Sequence, residues 1–172
     1  MILGAKKAAL ASGAVVLALL VPPQGKATTR KDEEIRKEVQ AFLRHYVRVV
    51  DGTDEKAMAA LFVADSRFAW FTDGAKSYAS PKEAVAGRKR YAGVTFKTTF
   101  TATEIVPLQP GLASVRTKFR TQLKIPNAPE QVFGGVITML LQKHKTSGVW
   151  QVVLGHTSTP SGPRGQRREK RK

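Results

Sequence analysis

The sequence predicts an α+β domain in which helices come first and a long antiparallel meander follows. Three observations predict it. Apolar residues recur at helical spacing between Lys31 and Val49, Ser80-Pro81-Lys82-Glu83 forms a complete helix start signal, and from Val94 onward the apolar pattern changes to a period of two.

The elements follow in order. Ile35, Val39, Phe42, Tyr46 and Val49 mark one face of a helix of about four turns, which Asp51-Gly52 ends. Thr53 is the expected cap of a second helix, with Asp54 and Glu55 in its first turn and Met58, Leu61 and Phe62 on its buried side. Arg67 to Thr72 reads as a short strand with Phe68 and Trp70 on one face, and Asp73-Gly74 turns the chain toward Ser77-Tyr78. Ser80 then caps a third helix, with proline at its first position and Glu83 at its third.

The remainder reads as strands. Val94, Phe96, Phe100 and Val106 keep one parity along the first, and Pro107 to Gly111 turns the chain. Ala113, Val115, Thr117, Phe119, Thr121 and Leu123 alternate with Ser114, Arg116, Lys118, Arg120, Gln122 and Lys124, giving one core face and one cationic face. Val132 to Leu141 is apolar on both parities, as in a strand covered on both sides. Trp150, Val152, Leu154 and His156 share a parity in the last strand.

Composition sets the bounds. The chain of 172 residues has 42% hydrophobic and 24% charged residues, which suits one packed domain. It has no cysteine, which excludes disulfides, thiolate metal sites, a cysteine nucleophile and a lipidated cysteine. Lys6 and Lys7 precede an apolar run from Ala8 to Val21, and Pro22-Pro23 and Gly25-Lys26-Ala27 follow. The run is shorter than the ~20 residues of a membrane span and matches a signal peptide, with an uncleaved anchor as the alternative. Residues 1–27 are therefore expected to direct export to the periplasm or beyond, 28–160 to form the domain, and 161–172 to be a disordered basic tail. Of the net charge of +16, three charges lie in the leader and five in the tail, leaving +8 in the domain. Such a surface attracts anions.

Four features carry a family resemblance: Phe42-Leu43-Arg44-His45-Tyr46-Val47; Asp51-Gly52-Thr53-Asp54 leading to Ala60-Leu61-Phe62-Val63-Ala64-Asp65; the Ser80 helix start; and Gly148-Val149-Trp150-Gln151-Val152-Val153 followed by His156-Thr157-Ser158. In order and spacing, residues 35–160 resemble the SnoaL-like branch of the nuclear-transport-factor-2-like superfamily, which includes the ketosteroid isomerases. The resemblance implies a cone-shaped curved antiparallel sheet wrapped around N-terminal helices, a mostly apolar pocket at the open end, and a homodimer. It implies no single activity, because the scaffold carries isomerases, dehydratases, cyclases and binding modules. The isomerase mechanism needs an aspartate base and an oxyanion site of tyrosine and protonated aspartate. Tyr46 matches the tyrosine, but the base falls at Trp70 and the second aspartate near Thr138, so that mechanism is disfavoured.

Three readings remain: a domain binding a small, largely apolar ligand; an enzyme using His156 as acid or base and Tyr46 as donor; and an envelope assembly module whose cone is filled by side chains. The expected pocket residues are Tyr46, Trp70, Phe100, Glu104, Phe119, Thr138, His156 and Ser158, with Glu104 and His156 placed there by strand parity. Glu104 leaves the pocket if the strand bulges before Pro107. Arg116, Lys118, Arg120 and Lys124 form a ladder that either solvates the sheet or docks an anionic envelope surface or polymer. No metal spacing, phosphate loop or dinucleotide fingerprint occurs, so no metal or cofactor is expected, and export makes nucleic acid an unexpected partner.

Overall fold

The computed structural model describes residues 29–160, so the expectations for the leader and the basic tail lie outside the described residues. The elements run α1 (Arg30–Asp51), α2 (Glu55–Ala60), β1 (Ala69–Thr72), β2 (Ala75–Tyr78), α3 (Pro81–Lys89), β3 (Thr95–Gln109), β4 (Leu112–Lys124), β5 (Gln131–Lys143) and β6 (Trp150–Ser158). This is the predicted α+β class, a curved, unclosed sheet of six strands in the order β2-β1-β6-β5-β4-β3 with α1 across its inner face. All neighbouring pairs are antiparallel except β1 with β6, which run parallel because α2 and the segment after it carry the chain back along the sheet.

Local signals explain the helices. Thr29 and Asp32 form a capping box at α1, whose Val39, Phe42, Leu43, Tyr46 and Val49 are buried. Asp54, rather than Thr53, caps α2, since its carboxylate accepts from the Ala57 amide at 2.9 Å. At α3 the Ser80 hydroxyl accepts from Glu83 N at 3.2 Å, and the Glu83 carboxylate accepts from Ala79 N at 2.7 Å.

The alternation read along β4 is reproduced without a slip, and Ala113, Val115, Thr117, Phe119, Thr121 and Leu123 are all buried. Of the sheet's four register shifts, two overturn the parity of expected site residues. In β3 the register shifts between Thr101 and Glu104, around Ala102 with φ +48°. In β6 both Val152 and Val153 fall where one residue is due, because Leu141 pairs with Val152 and Leu140 with Leu154. Each extra residue turns the side chains that follow it to the other face. The apolar outer parity of β5 is only partly covered: Val132 is 49% exposed and Val136 and Leu140 are half-buried, while the inner Ile137, Met139 and Leu141 are buried.

At the narrow end, Glu38 of α1 accepts from Lys143 Nζ at 2.7 and 2.8 Å and from Trp150 Nε1 at 2.9 Å, joining helix to sheet. The Lys143 bond, opposed by burial and helped by Trp150, holds the Glu38 carboxyl below its ordinary range. A lowered folded-state pKa gives stability that is present above the unfolded carboxyl's pKa and lost as pH falls through the folded value. Glu38→Gln should therefore lower the urea midpoint at neutral pH by an amount worth at most about 1 kcal/mol, given its partial exposure. Parent and variant should converge in acid; a constant gap across pH would mean that charge plays no part.

Candidate functional site

Where the sheet opens away from the Glu38 end, it encloses a cavity of about 280 Å³ with α1, α2 and α3. Nine of the chain's thirteen aromatic side chains line it. Tyr46 lies between Trp70, with ring centroids 6.5 Å apart and planes 13° apart, and Phe100, at 6.1 Å and 27°. Trp70 Nε1 donates to Thr157 Oγ1 at 3.2 Å. The indole lies directly over Gly155, where a Cβ would clash with its Cε3, Cζ3 and Cδ2 atoms. Tyr78 packs over Gly87 of α3 in the same way, with a Cβ there only 2.5 Å from the phenol oxygen. The two glycines let a strand and a helix approach these rings without a side chain between them.

The polar groups on this wall are few. No hydrogen bond to the Tyr46 hydroxyl is formed among the described residues, and burial, with a smaller contribution from the neighbouring Tyr78, pushes its pKa up, so the phenol stays a neutral donor. Thr98 and Thr121 share a hydroxyl hydrogen bond of 3.1 Å. Asp51, the last residue of α1, lines the same cavity. Its Oδ2 accepts from Thr98 N at 2.7 Å, while its Oδ1 is buried without a hydrogen-bond partner. Such an acceptor is costly in a closed core, and here it faces a cavity. Arg88 of α3 closes the roof. Its guanidinium bonds the Val50 and Asp51 carbonyls and sits 4.3 Å above the Phe96 ring.

Of the residues expected in the pocket, the structure brings together Tyr46, Trp70, Phe100 and Phe119. Four others lie outside it. The bulge at Val153 turns His156 and Ser158 to the outer face, where His156 pairs with Thr138, and Thr157 takes the inward position. Thr138 is exposed on that face, and Ile137 faces the cavity instead. The bulge at Ala102 likewise sends Glu104 outward, where it forms an ion pair of 2.7 Å with Arg116. An acid or base role for His156 inside the cone is thereby withdrawn. Arg116, Lys118, Arg120 and Lys124 stand exposed on the outer face of β4, as their spacing requires. Sequence reasoning missed Asp51, Tyr78, Arg88 and Thr157. Only Asp51 carried a signal, being an acid at the negative end of a helix dipole.

Solved structures share this architecture. A nuclear transport factor 2-like superfamily protein from Salmonella enterica serovar Typhimurium superposes with a TM-score of 0.66 at 13% identity, covering 78% of this chain and 97% of that one. A ketosteroid isomerase-like protein from Erwinia carotovora atroseptica gives 0.61 at 19% identity, covering 73% and 96%. A protein with a cystatin-like fold from Caulobacter vibrioides gives 0.59 at 17%, covering 76% and 92%. At these identities the likeness shows the fold alone. A comparison with curated proteins finds no significant match. The fold, the cone and a sequence match over residues 32–154 agree, and the chain belongs to the SnoaL-like domain family.

Proposed function

We propose that the domain binds a small, flat, largely apolar ring compound bearing a hydroxyl or similar donor. The carrying observation is the pairing of an aromatic-walled cavity with the unpartnered Asp51 Oδ1. A volume of about 280 Å³ stands at the lower limit of ligand pockets, which favours a compact fused-ring molecule over a long lipid. Tyr46, Trp70 and Phe100 supply faces for stacking, Asp51 accepts the donor, and the Tyr46 hydroxyl points the polar end. An open cavity with polar groups on its wall is also what the filled-cone assembly reading lacks.

A second reading, proton transfer on the bound ligand, is favoured by the same acceptor. In it Asp51 takes the proton-accepting role and the Tyr46 and Tyr78 phenols hold the developing oxyanion.

Calorimetric titration with 2-naphthol tests binding. The parent should bind, and Tyr46→Phe should weaken affinity roughly 2–10-fold, the worth of one hydrogen bond, with little change in melting temperature. His156→Leu should bind like the parent. No heat with the parent, together with a large loss of stability in Tyr46→Phe, would favour a structural module.

A further inference from the structure

The rim of the cone combines exposed apolar side chains with cations. Tyr91 and Phe133 line the cavity, yet are 49% and 43% exposed, and Val132 beside Phe133 is 49% exposed. The β4–β5 connection, Ile125-Pro126-Asn127-Ala128-Pro129, projects from the same end of the sheet, with four apolar residues in five and Pro126, Ala128 and Pro129 exposed. Arg90, Lys97, Arg120 and Lys124 surround these side chains, and among the described residues none of the four forms an ion pair. Acidic groups near the rim are Asp54, which caps α2, Glu55, which binds Lys89 at 2.9 Å, and Glu130.

Exposed apolar side chains ringed by unpaired cations match an anionic bilayer, into whose headgroup region aromatic and aliphatic groups dip while lysine and arginine meet the phosphates. We propose that the open end of the cone docks on an anionic lipid surface, so that an apolar ligand passes between bilayer and cavity without crossing water. The proposal rests on the ligand-binding reading above and adds where the ligand is collected.

The chain has no cysteine, so single labels report position directly. Ala128→Cys at the rim, Thr138→Cys on the outer sheet face and Thr146→Cys at the far end are each labelled in the full chain with a polarity-sensitive fluorophore. They are then mixed with vesicles of phosphatidylglycerol and phosphatidylcholine in equal parts, or of phosphatidylcholine alone. A blue shift is expected at position 128 only, and only with the anionic vesicles. Adding Arg90→Gln, Lys97→Gln and Lys124→Gln to the Ala128→Cys chain should raise the lipid needed for half the shift about a hundredfold. A shift at 138 instead would mean that the β4 ladder docks, and vesicle association without a shift at any label would assign binding to the tail; either overturns the proposal. Naphthol binding without the shift at 128 refutes docking alone, and the shift without naphthol binding refutes the ring-ligand reading alone.

Discussion

Gly155→Val is expected to destabilise the sheet strongly. The Trp70 indole rests on the bare backbone of Gly155 and is fixed by its bond to Thr157 and its packing on Tyr46 and Phe62. A side chain at 155 must either expel the indole or part β1 from β6, which pair directly at Trp70 and Gly155. Overpacking costs about 1–3 kcal/mol, and losing a buried tryptophan's contacts about 3–5 kcal/mol. Against a total stability of about 5–15 kcal/mol, the melting temperature should fall by roughly 10 °C or more. Gly155→Ala should fall less. Adding Trp70→Phe to Gly155→Ala should restore part of the loss, because a smaller ring relieves the overlap. Thermal melts followed by circular dichroism measure all four proteins, and an unchanged midpoint for Gly155→Val would sink this account of the wall.

The same strand shows where a sequence stops being legible. Period two holds along β4 because no residue is inserted there, so its core face and its cationic face are both readable. In β6 the same rule carried His156 onto the face of Trp150 and Val152, and the extra residue at Val153 reversed it. In β3 the insertion at Ala102 did the same to Glu104. A bulge depends on how two strands curve against each other, and neither Ala102 nor Val153 is the glycine or proline that would announce one. Helix starts were legible because a cap is a local bond, as Ser80 and Glu83 show. Helical and strand spacing put Tyr46 and Trp70 on core faces, and the family resemblance put them in the pocket. Asp51 was passed over as a helix end, although a carboxylate there opposes the dipole.

Asp51→Asn is expected to separate stability from binding. The amide oxygen can still accept from Thr98 N, now bonded to Oδ2 at 2.7 Å, while the amide nitrogen takes the place of the unpartnered Oδ1. Replacement removes a charge from the negative end of α1, a mismatch worth about 0.3–1 kcal/mol, and ends the burial of an unsatisfied charged acceptor. The ligand-free variant should therefore melt at the parent's temperature or a few degrees above it. For a phenolic ligand the change has the opposite sign. An acceptor becomes a donor facing a donor, and a hydrogen bond to a charged group, about 1.5–3 kcal/mol, is lost, which is roughly 10–100-fold in affinity. Asp51→Leu should lose binding too, but it also strands the Thr98 amide and so should be less stable than the parent. Calorimetric titration with 2-naphthol and thermal melts of the three proteins read both quantities. If Asp51→Asn melts well below the parent and binds as tightly, the carboxylate serves the fold, and the donor-bearing ligand proposed for this cavity has no acceptor to meet it.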